Sequence, residues 1–401
     1  MLELEIDAAL EQFKSILVGQ LERVDQLKNE NVRIDFMQVP CIRIGVCGGD
    51  GIGPIISSVA QRILSEALKE YVSSGKVEIV DIEGLTIENR VAEMKAIPDK
   101  VLANLKDCHV ILKGPTTTPQ KGDAWPNIES ANVAMRKELD LFANVRPVKK
   151  IGDRIDWIFF RENTEGEYIV GSQGFDVTSD LSVDFKITTE QGSERIIRMA
   201  FEYARLNNKQ RVTVVTKSNV VKTTDGRFSS VAKRIAQEYV QYGITSDEWY
   251  IDIMTAKLLD PERRHQFEVL VMPNLYGDII TDEAAQIQGG VGTAGSANLG
   301  NKWAMFEAVH GSAPRMILEG RGQYADPASM IKAAAMLARH IGFPEAAERI
   351  EKALEICVSG ERRLVITGRP DGATASEFGE YILEWMNRCS LDQDYDRYLL
   401  Q

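Results

Sequence analysis

The sequence is poor in the residue types that organise disulfide-rich or zinc-bearing folds. Five cysteines and four histidines occur in 401 residues. Cys41, Cys47, Cys108, Cys357 and Cys389 are scattered without CxxC spacing, which excludes a disulfide framework and a structural zinc site as the organising device. No apolar run approaches the roughly 18 residues of a membrane span. No period of about 20–50 residues repeats, which excludes a solenoid or propeller. Positive charge is also short: 47 Lys+Arg stand against 59 Asp+Glu, a net charge of −12. Such a chain is a poor general binder of nucleic acid or of an anionic membrane, and neither partner is expected. The opening residues MLELEID are acidic and lack an apolar h-region, so they do not read as a signal peptide and the expected compartment is the cytoplasm.

What is present is a globular composition, 44% hydrophobic and 26% charged. The length suggests two or three structural units. Residues 1–30 place Leu2, Ile6, Leu10, Phe13, Leu17, Leu21, Val24 and Leu27 at helical spacing. This predicts an amphipathic helix of about 25 residues, docked on the body or on a partner subunit. Its acid-rich polar face argues against a membrane surface. Strand patterns at 42–46, 76–82, 109–113, 155–160, 211–216 and 269–272 alternate with helical ones at 54–64, 101–106, 193–206, 228–243, 328–358 and 375–388. That alternation predicts an α/β fold with a largely parallel sheet. Residues 171–190 are rich in Thr, Ser and Asp with short alternation at 183–188, which reads as a small β insertion.

Several constellations carry chemistry. Gly48–Pro54, GGDGIGP, lies between a strand and a helix, where glycines permit close backbone approach and a helix N-terminus offers free N–H groups. A plain strand-to-helix turn competes with that reading. GVGTAG at 290–295 matches G-x-G-x-x-G but follows a helical stretch, so it is rejected as a dinucleotide fingerprint. Ser130, Asn132 and Arg136 precede Arg146 and Arg161, and the latter two follow or end strand-like runs. Guanidinium groups there suit a bidentate grip on carboxylates, against the alternative of ordinary salt-bridged arginines. Asp278 and Asp282 are spaced i, i+4 and would share one helix face. With Asp252, they make a hard-oxygen set suited to Mg²⁺ or Mn²⁺, against the alternative of a solvated acidic face. Tyr168 and Lys217, each just past a strand, form a candidate proton-transfer pair, the lysine expected to have its pKa depressed by neighbouring cations. HGSAP at 310–314, followed by Arg315, marks a loop.

The blocks GGDGIGP (48–54), LKGPTTTP (112–119), RKELDLFANVRPV (136–148), FRENTEGEY (160–168), TKSNVVKTTDG (216–226), NLYGDIITDEAA (274–285), GSANLG (295–300) and EAVHGSAP (307–314) together resemble the β-decarboxylating isocitrate/isopropylmalate dehydrogenase family. The resemblance spans about residues 42–390. It implies a two-domain α/β fold, not a Rossmann fold: a large domain (36–141 and 289–401), a small domain (142–165 and 190–288) and a β clasp (166–189), after an N-terminal extension (1–35). Catalysis would lie in the cleft between the domains. Ser130 and Asn132 look like the isocitrate version of a site where isopropylmalate enzymes place apolar residues, and a site that bonds a third carboxylate rejects an apolar analogue.

By the same resemblance, Arg136, Arg146, Arg161 and Asn219 would touch substrate, and Asp252, Asp278 and Asp282 would hold Mg²⁺ or Mn²⁺. Lys217 or Asp282 would help remove the hydroxyl proton, and Tyr168 with Lys217 would protonate the enol carbon. Lys217 and Asp252 would come from the neighbouring chain of a homodimer with shared sites. Thr117, Thr118, His310, Gly311, Ser312, Ala313 and Arg315 would face the coenzyme. Arg315 stands where NAD-using members carry Asp, and a guanidinium suits a 2′-phosphate, so NADP is preferred over NAD. The sequence departs from the family pattern at Ile55, which replaces a usual Glu, and at an insertion-like stretch (121–127) with Trp125 and Pro126. The expected activity is oxidative decarboxylation of isocitrate to 2-oxoglutarate and CO₂. Homoisocitrate or isopropylmalate dehydrogenase is the nearest rival, and a non-catalytic regulatory subunit a remote one.

Overall fold

The computed structural model describes residues 2–27, 33–119, 122–123, 125–150, 153–170, 173–290, 292 and 294–399. Parts of several sequence readings fall outside them: residues 1 and 28–30 of the N-terminal helix, Lys121 and Ala124 of the insertion-like stretch, residues 171–172 of the β insertion, and Val291 and Thr293 of GVGTAG. The chain opens with α1 (Leu2–Leu27), β1 (Ile42–Cys47), α2 (Gly53–Ala67), α3 (Lys69–Ser73), β2 (Val77–Asp81), α4 (Ile87–Ala92), α5 (Asp99–Lys106), β3 (Val110–Lys113) and α6 (Ala131–Glu138). It continues with β4 (Ala143–Lys150), β5 (Ile155–Glu162), β6 (Phe175–Thr178), β7 (Leu181–Val183), α7 (Glu190–Leu206), β8 (Arg211–Thr216), α8 (Thr224–Tyr239), β9 (Thr245–Tyr250), α9 (Ile251–Leu259), β10 (Val269–Met272) and α10 (Asn274–Gln288). The last stretch holds β11 (Gly295–Leu299), β12 (Ala304–Ala308), α11 (Pro314–Leu318), α12 (Ala328–His340), α13 (Pro344–Glu355), α14 (Ala375–Met386) and α15 (Leu391–Leu399).

The chain divides into two compact units. One comprises Met1–Arg33, Asp140–Gln288 and Leu299–Asn301; the other comprises Ile34–Leu139, Gly289–Asn298 and Lys302–Gln401. In the first unit the strand order is β4-β5-β10-β8-β9. β4 and β5 pair antiparallel from Ala143↔Glu162 to Lys150↔Ile155, while β10 runs parallel to both β5 and β8. β10, VLVM, is buried along its whole length, as parallel strands covered on both faces are. Trp157, Phe159, Leu270, Met272 and Ile280 belong to one core cluster, which fixes α10 against β5 and β10. β6 and β7 form a separate antiparallel hairpin.

In the second unit the order is β2-β1-β3-β12-β11, in which β1 runs parallel to β2 and β3, and β12 runs parallel to β3. Gly45 in β1 is necessary there, because a Cβ would come within 2.6 Å of Ile82 and 2.9 Å of Cys108.

The α/β class with a mostly parallel sheet matches the sequence expectation, but several boundaries move. Val183 ends β7, but the alternation over 184–188 does not continue the strand. Ile187 makes an isolated bridge with Gly166, because its partner is one loop residue and not a strand. α10 begins at Asn274, directly after Pro273, so Asp278 already lies inside the helix. The strand-like run before Arg146 becomes a strand only at Ala143, after Asp140 with φ 44°, and Arg146 lies within it. The helices expected over 328–358 are α12 and α13, separated at Gly342, with φ 93°, before Pro344, a residue favoured at a first helical turn. No helix among the described residues is long and apolar enough to cross a membrane.

Candidate active site

In the first unit, α10 and the end of β5 bring Arg146, Arg161, Tyr168, Asp278 and Asp282 together. Arg161 is almost fully buried. Its Nη1 pairs with Asp278 Oδ1, while Nε and Nη2 donate to Asn274 Oδ1 at 3.0 and 2.7 Å. Gly277 makes this possible: a Cβ there would lie 2.5 Å from Arg161 Cγ. Arg146 Nη1 donates to Thr281 Oγ1 at 2.6 Å and to Asp282 Oδ1 at 2.9 Å, and its Nη2 lies 3.9 Å from Asp278 Oδ1. Tyr168 donates its hydroxyl to Asp278 Oδ2 at 2.9 Å, with the Arg161 guanidinium 5.5 Å from its ring centroid. Burial and the Asp278 carboxylate push the Tyr168 phenol up to about 12, so it keeps its proton at neutral pH.

FRENTEGEY shapes this site mainly through its backbone. Buried Glu162 accepts from the amides of Thr164 and Glu165 and from Thr164 Oγ1. Asn163 donates to the Leu141 carbonyl, and Asn274 Nδ2 donates to the Glu165 carbonyl. Gly166 turns with φ 76°.

Lys217 and Asp252 form a second pair, Nζ to Oδ1 at 2.6 Å, and the Lys217 hydrogen bond holds the Asp252 carboxyl below its usual range. Asn219 is exposed in the turn after β8. Lys217 meets Asp252, whereas Tyr168 meets Asp278, so the single chain does not join the two proton-transfer candidates. Among the described residues no group of three or more His, Cys, Asp or Glu side chains is placed to hold a metal. Asp278 and Asp282 lie one helical turn apart with side chains 38% and 58% exposed. They fit a Mg²⁺ or Mn²⁺ ion, which takes one or two carboxylates from a protein and completes its shell with waters and substrate oxygens.

In the second unit, three loops meet. Thr116 Oγ1 donates to Asn132 Oδ1 at 3.0 Å, Thr118 Oγ1 to Ser130 Oγ at 3.2 Å, and the hydroxyls of Thr117 and Ser312 lie 2.8 Å apart. The glycines of GGDGIGP let these loops close. A Cβ on Gly49 would sit 2.2 Å from the Pro115 carbonyl oxygen, and one on Gly51 2.1 Å from that of Ser312. Asp50 accepts from the amides of Ile87 and Thr117, and buried Arg90 donates to the carbonyls of Ala96, Thr117 and Glu129.

Arg136 Nη2 lies 3.4 Å from Glu307 Oε1, and Lys113 Nζ 2.9 Å from Glu307 Oε2. Burial would raise the Glu307 carboxyl, yet Lys113 and Arg136 hold it down at about 2. His310 is half-buried, its Nδ1 3.0 Å from the Gly311 carbonyl oxygen, and Ala313 takes φ 45°. Arg315 is 86% exposed and bonded to Glu319. Lys113, Glu307, Asn274 and Thr281 were not singled out from the sequence, although all four lie inside the motif blocks; Arg90 lies in none.

The description "Isocitrate/isopropylmalate dehydrogenase" belongs to a family model that matches residues 43–382. The chain belongs to the isocitrate/isopropylmalate dehydrogenase family. It is 39% identical over 317 residues to isocitrate dehydrogenase (NADP) of Rickettsia prowazekii (strain Madrid E), covering 77% of this chain. It spans only 62% of the length of that relative. It is 35% identical to homoisocitrate dehydrogenase of Methanocaldococcus jannaschii, covering 80% of this chain and 91% of the relative. It is 37% identical to a probable isocitrate dehydrogenase (NAD) subunit alpha, mitochondrial, of Caenorhabditis elegans, covering 78% and 83%. Among solved structures, isocitrate dehydrogenase from Methylococcus capsulatus matches this family member with a TM-score of 0.73 at 34% identity, covering 86% of this chain and all of that one.

Proposed function

We propose that this chain catalyses oxidative decarboxylation of isocitrate to 2-oxoglutarate and CO₂, with NADP favoured over NAD, as a homodimer with shared sites. The observation that carries the reading is the cluster in which Asp278 meets Arg146, Arg161 and Tyr168. The two buried guanidinium groups suit substrate carboxylates. Asp278 and Asp282, with Asp252 of a neighbouring copy, would hold Mg²⁺ or Mn²⁺. When bound, the cation would supply Lewis acidity and the coenzyme would supply the hydride acceptor. Lys217 or Asp282 takes the proton of the substrate hydroxyl. Tyr168, protonated at neutral pH, delivers its hydroxyl proton to the enol carbon left after CO₂ departs. Ser130, Asn132 and Arg136 would bind the third carboxylate that distinguishes isocitrate. Thr117, Thr118, the 310–313 loop and Arg315 would face the coenzyme, with Arg315, exposed and bonded only along its own helix turn to Glu319, placed to meet a 2′-phosphate.

Homoisocitrate is the second substrate reading, favoured by the relative of which the chain covers 91%. Initial rates with isocitrate, homoisocitrate and isopropylmalate, each with NAD⁺ and NADP⁺, test the proposal. Highest kcat/KM with isocitrate and NADP⁺ is expected. Higher values with homoisocitrate or with NAD⁺ would overturn the substrate or the coenzyme assignment, respectively. EDTA should abolish turnover and added Mg²⁺ or Mn²⁺ restore it. Ser130→Ala and Asn132→Ala should each lower kcat/KM for isocitrate by about tenfold or more, through loss of a charged hydrogen bond.

A further inference from the structure

The family match begins at residue 43, which leaves α1 outside it, yet α1 reaches the segment that carries Tyr168. It does so on both sides of that tyrosine. On one side Arg23 Nη1 lies 3.2 Å from Glu165 Oε1, and Nη2 lies 3.2 Å from Thr164 Oγ1. Glu165 is buried, with a side chain only 3% exposed, and stands beside buried Glu162. It also accepts from the amide and hydroxyl of Thr189. Arg23 is thus a direct countercharge for an acid inside FRENTEGEY. On the other side Ile16, 6% exposed, joins Ile169 and Val170 in a small core against which Phe175, Phe185 and Ile187 pack. Phe13 stacks on Phe185 with centroids 5.2 Å apart. Tyr168 falls between the two attachments, three residues after Glu165 and immediately before Ile169.

We propose that α1 is a positioning element of the active site, with Arg23 and Ile16 as its positioning residues. They fix the two ends of the 164–170 segment, so that the Tyr168 hydroxyl stays aimed at Asp278. A buried acid left without its cation is costly, and a two-stranded hairpin such as β6-β7 is marginal without added packing. Losing either attachment therefore loosens the segment, while the bonds of Arg161 to Asp278 and of Arg146 to Thr281 and Asp282 lie outside it. Proton delivery should suffer, and substrate binding should not. The inference rests on the reading of Tyr168 as proton donor.

The test uses full-length chain. Arg23→Met should lower kcat by about tenfold with KM for isocitrate changed less than about twofold, the signature of a group acting after binding. Ile16→Ala should act in the same direction, and Arg23→Lys should recover most of the loss. In the Tyr168→Phe background, Arg23→Met should cost less than about twofold, because the two residues then act through one step. Amides of 164–170 should exchange faster in Arg23→Met and in Ile16→Ala. The inference is overturned if kcat stays within about twofold of the parent, if the tenfold loss persists without Tyr168, or if exchange in 164–170 is unchanged. Absence of turnover in the parent chain would sink the dehydrogenase reading instead, with the exchange comparison still deciding whether α1 holds the segment.

Discussion

Two buried glutamates, one in each unit, sit in opposite electrostatic settings. Glu307 has Lys113 and Arg136 against its two oxygens and is held at about 2. Glu162 is as deeply buried but stands beside Glu165, and burial together with that like charge pushes it up to about 7, with Arg195 and Arg23 offsetting only part. Burial raises both carboxyls; the neighbours decide the sign of the outcome. In the first case two cations share one acid, a local positive excess in a chain whose net charge is −12. In the second the cations are shared among several acids, with Arg195 also forked onto Asp140. Global charge governs the surface, while particular buried sites keep a cation surplus.

The largest expected effect breaks the Glu307 side. Lys113→Met leaves a buried carboxylate short of a partner and should destabilise the fold by about 3–5 kcal/mol, read from urea unfolding. A loss under about 1 kcal/mol would mean that Arg136 and Asn298 suffice and that the cation surplus is not what holds Glu307 ionised.

A pH series sharpens the comparison. The folded carboxyl of Glu307 lies below its ordinary 4.5, so its contribution is present above about pH 4.5 and is lost as pH falls towards 2. Glu162 lies above its ordinary 4.5, so the folded state holds a proton that the unfolded chain has released, and stability falls as pH rises from about 4.5 to 7. Each contribution is at most about 3 kcal/mol. Glu307→Gln should flatten the acid limb of the stability curve and Glu162→Gln the neutral limb. The reverse pattern would invert the assignment.

The smallest stability effect is expected at the exposed Lys217–Asp252 pair. Lys217→Met should leave the thermal midpoint within about 2 °C of the parent, because exposed pairs contribute little. The same change should cut kcat by about 10²-fold or more if the lysine serves proton transfer. A large drop in the midpoint with little change in kcat would make the pair structural.

Much of the fold was legible along the chain. The runs at 211–216 and 269–272 coincide with β8 and β10, because a short apolar run between turn signals leaves the backbone few alternatives. The i, i+4 spacing of Asp278 and Asp282 put both on one helix, and α10 holds them there. What failed was local: the alternation over 184–188 has the period of a strand but only one bridging partner, and pairing is not encoded in period. The contacts within the site were less legible. Neither Gly277 as the seat of Arg161 nor Arg90 as the tie between Thr117 and Glu129 follows from spacing, since each depends on residues distant in sequence.

The sequence by itself determined the α/β class, the family motifs and the types of group available for catalysis, because periodicity and residue chemistry are local properties. Only the tertiary structure decided which charges meet: that Asp278 receives Arg161, Arg146 and Tyr168, that Glu307 lies between two cations while Glu162 faces another acid, and that an N-terminal helix outside the family match places Arg23 on Glu165. Electrostatic energy depends on distance and burial, and neither exists until the chain has folded.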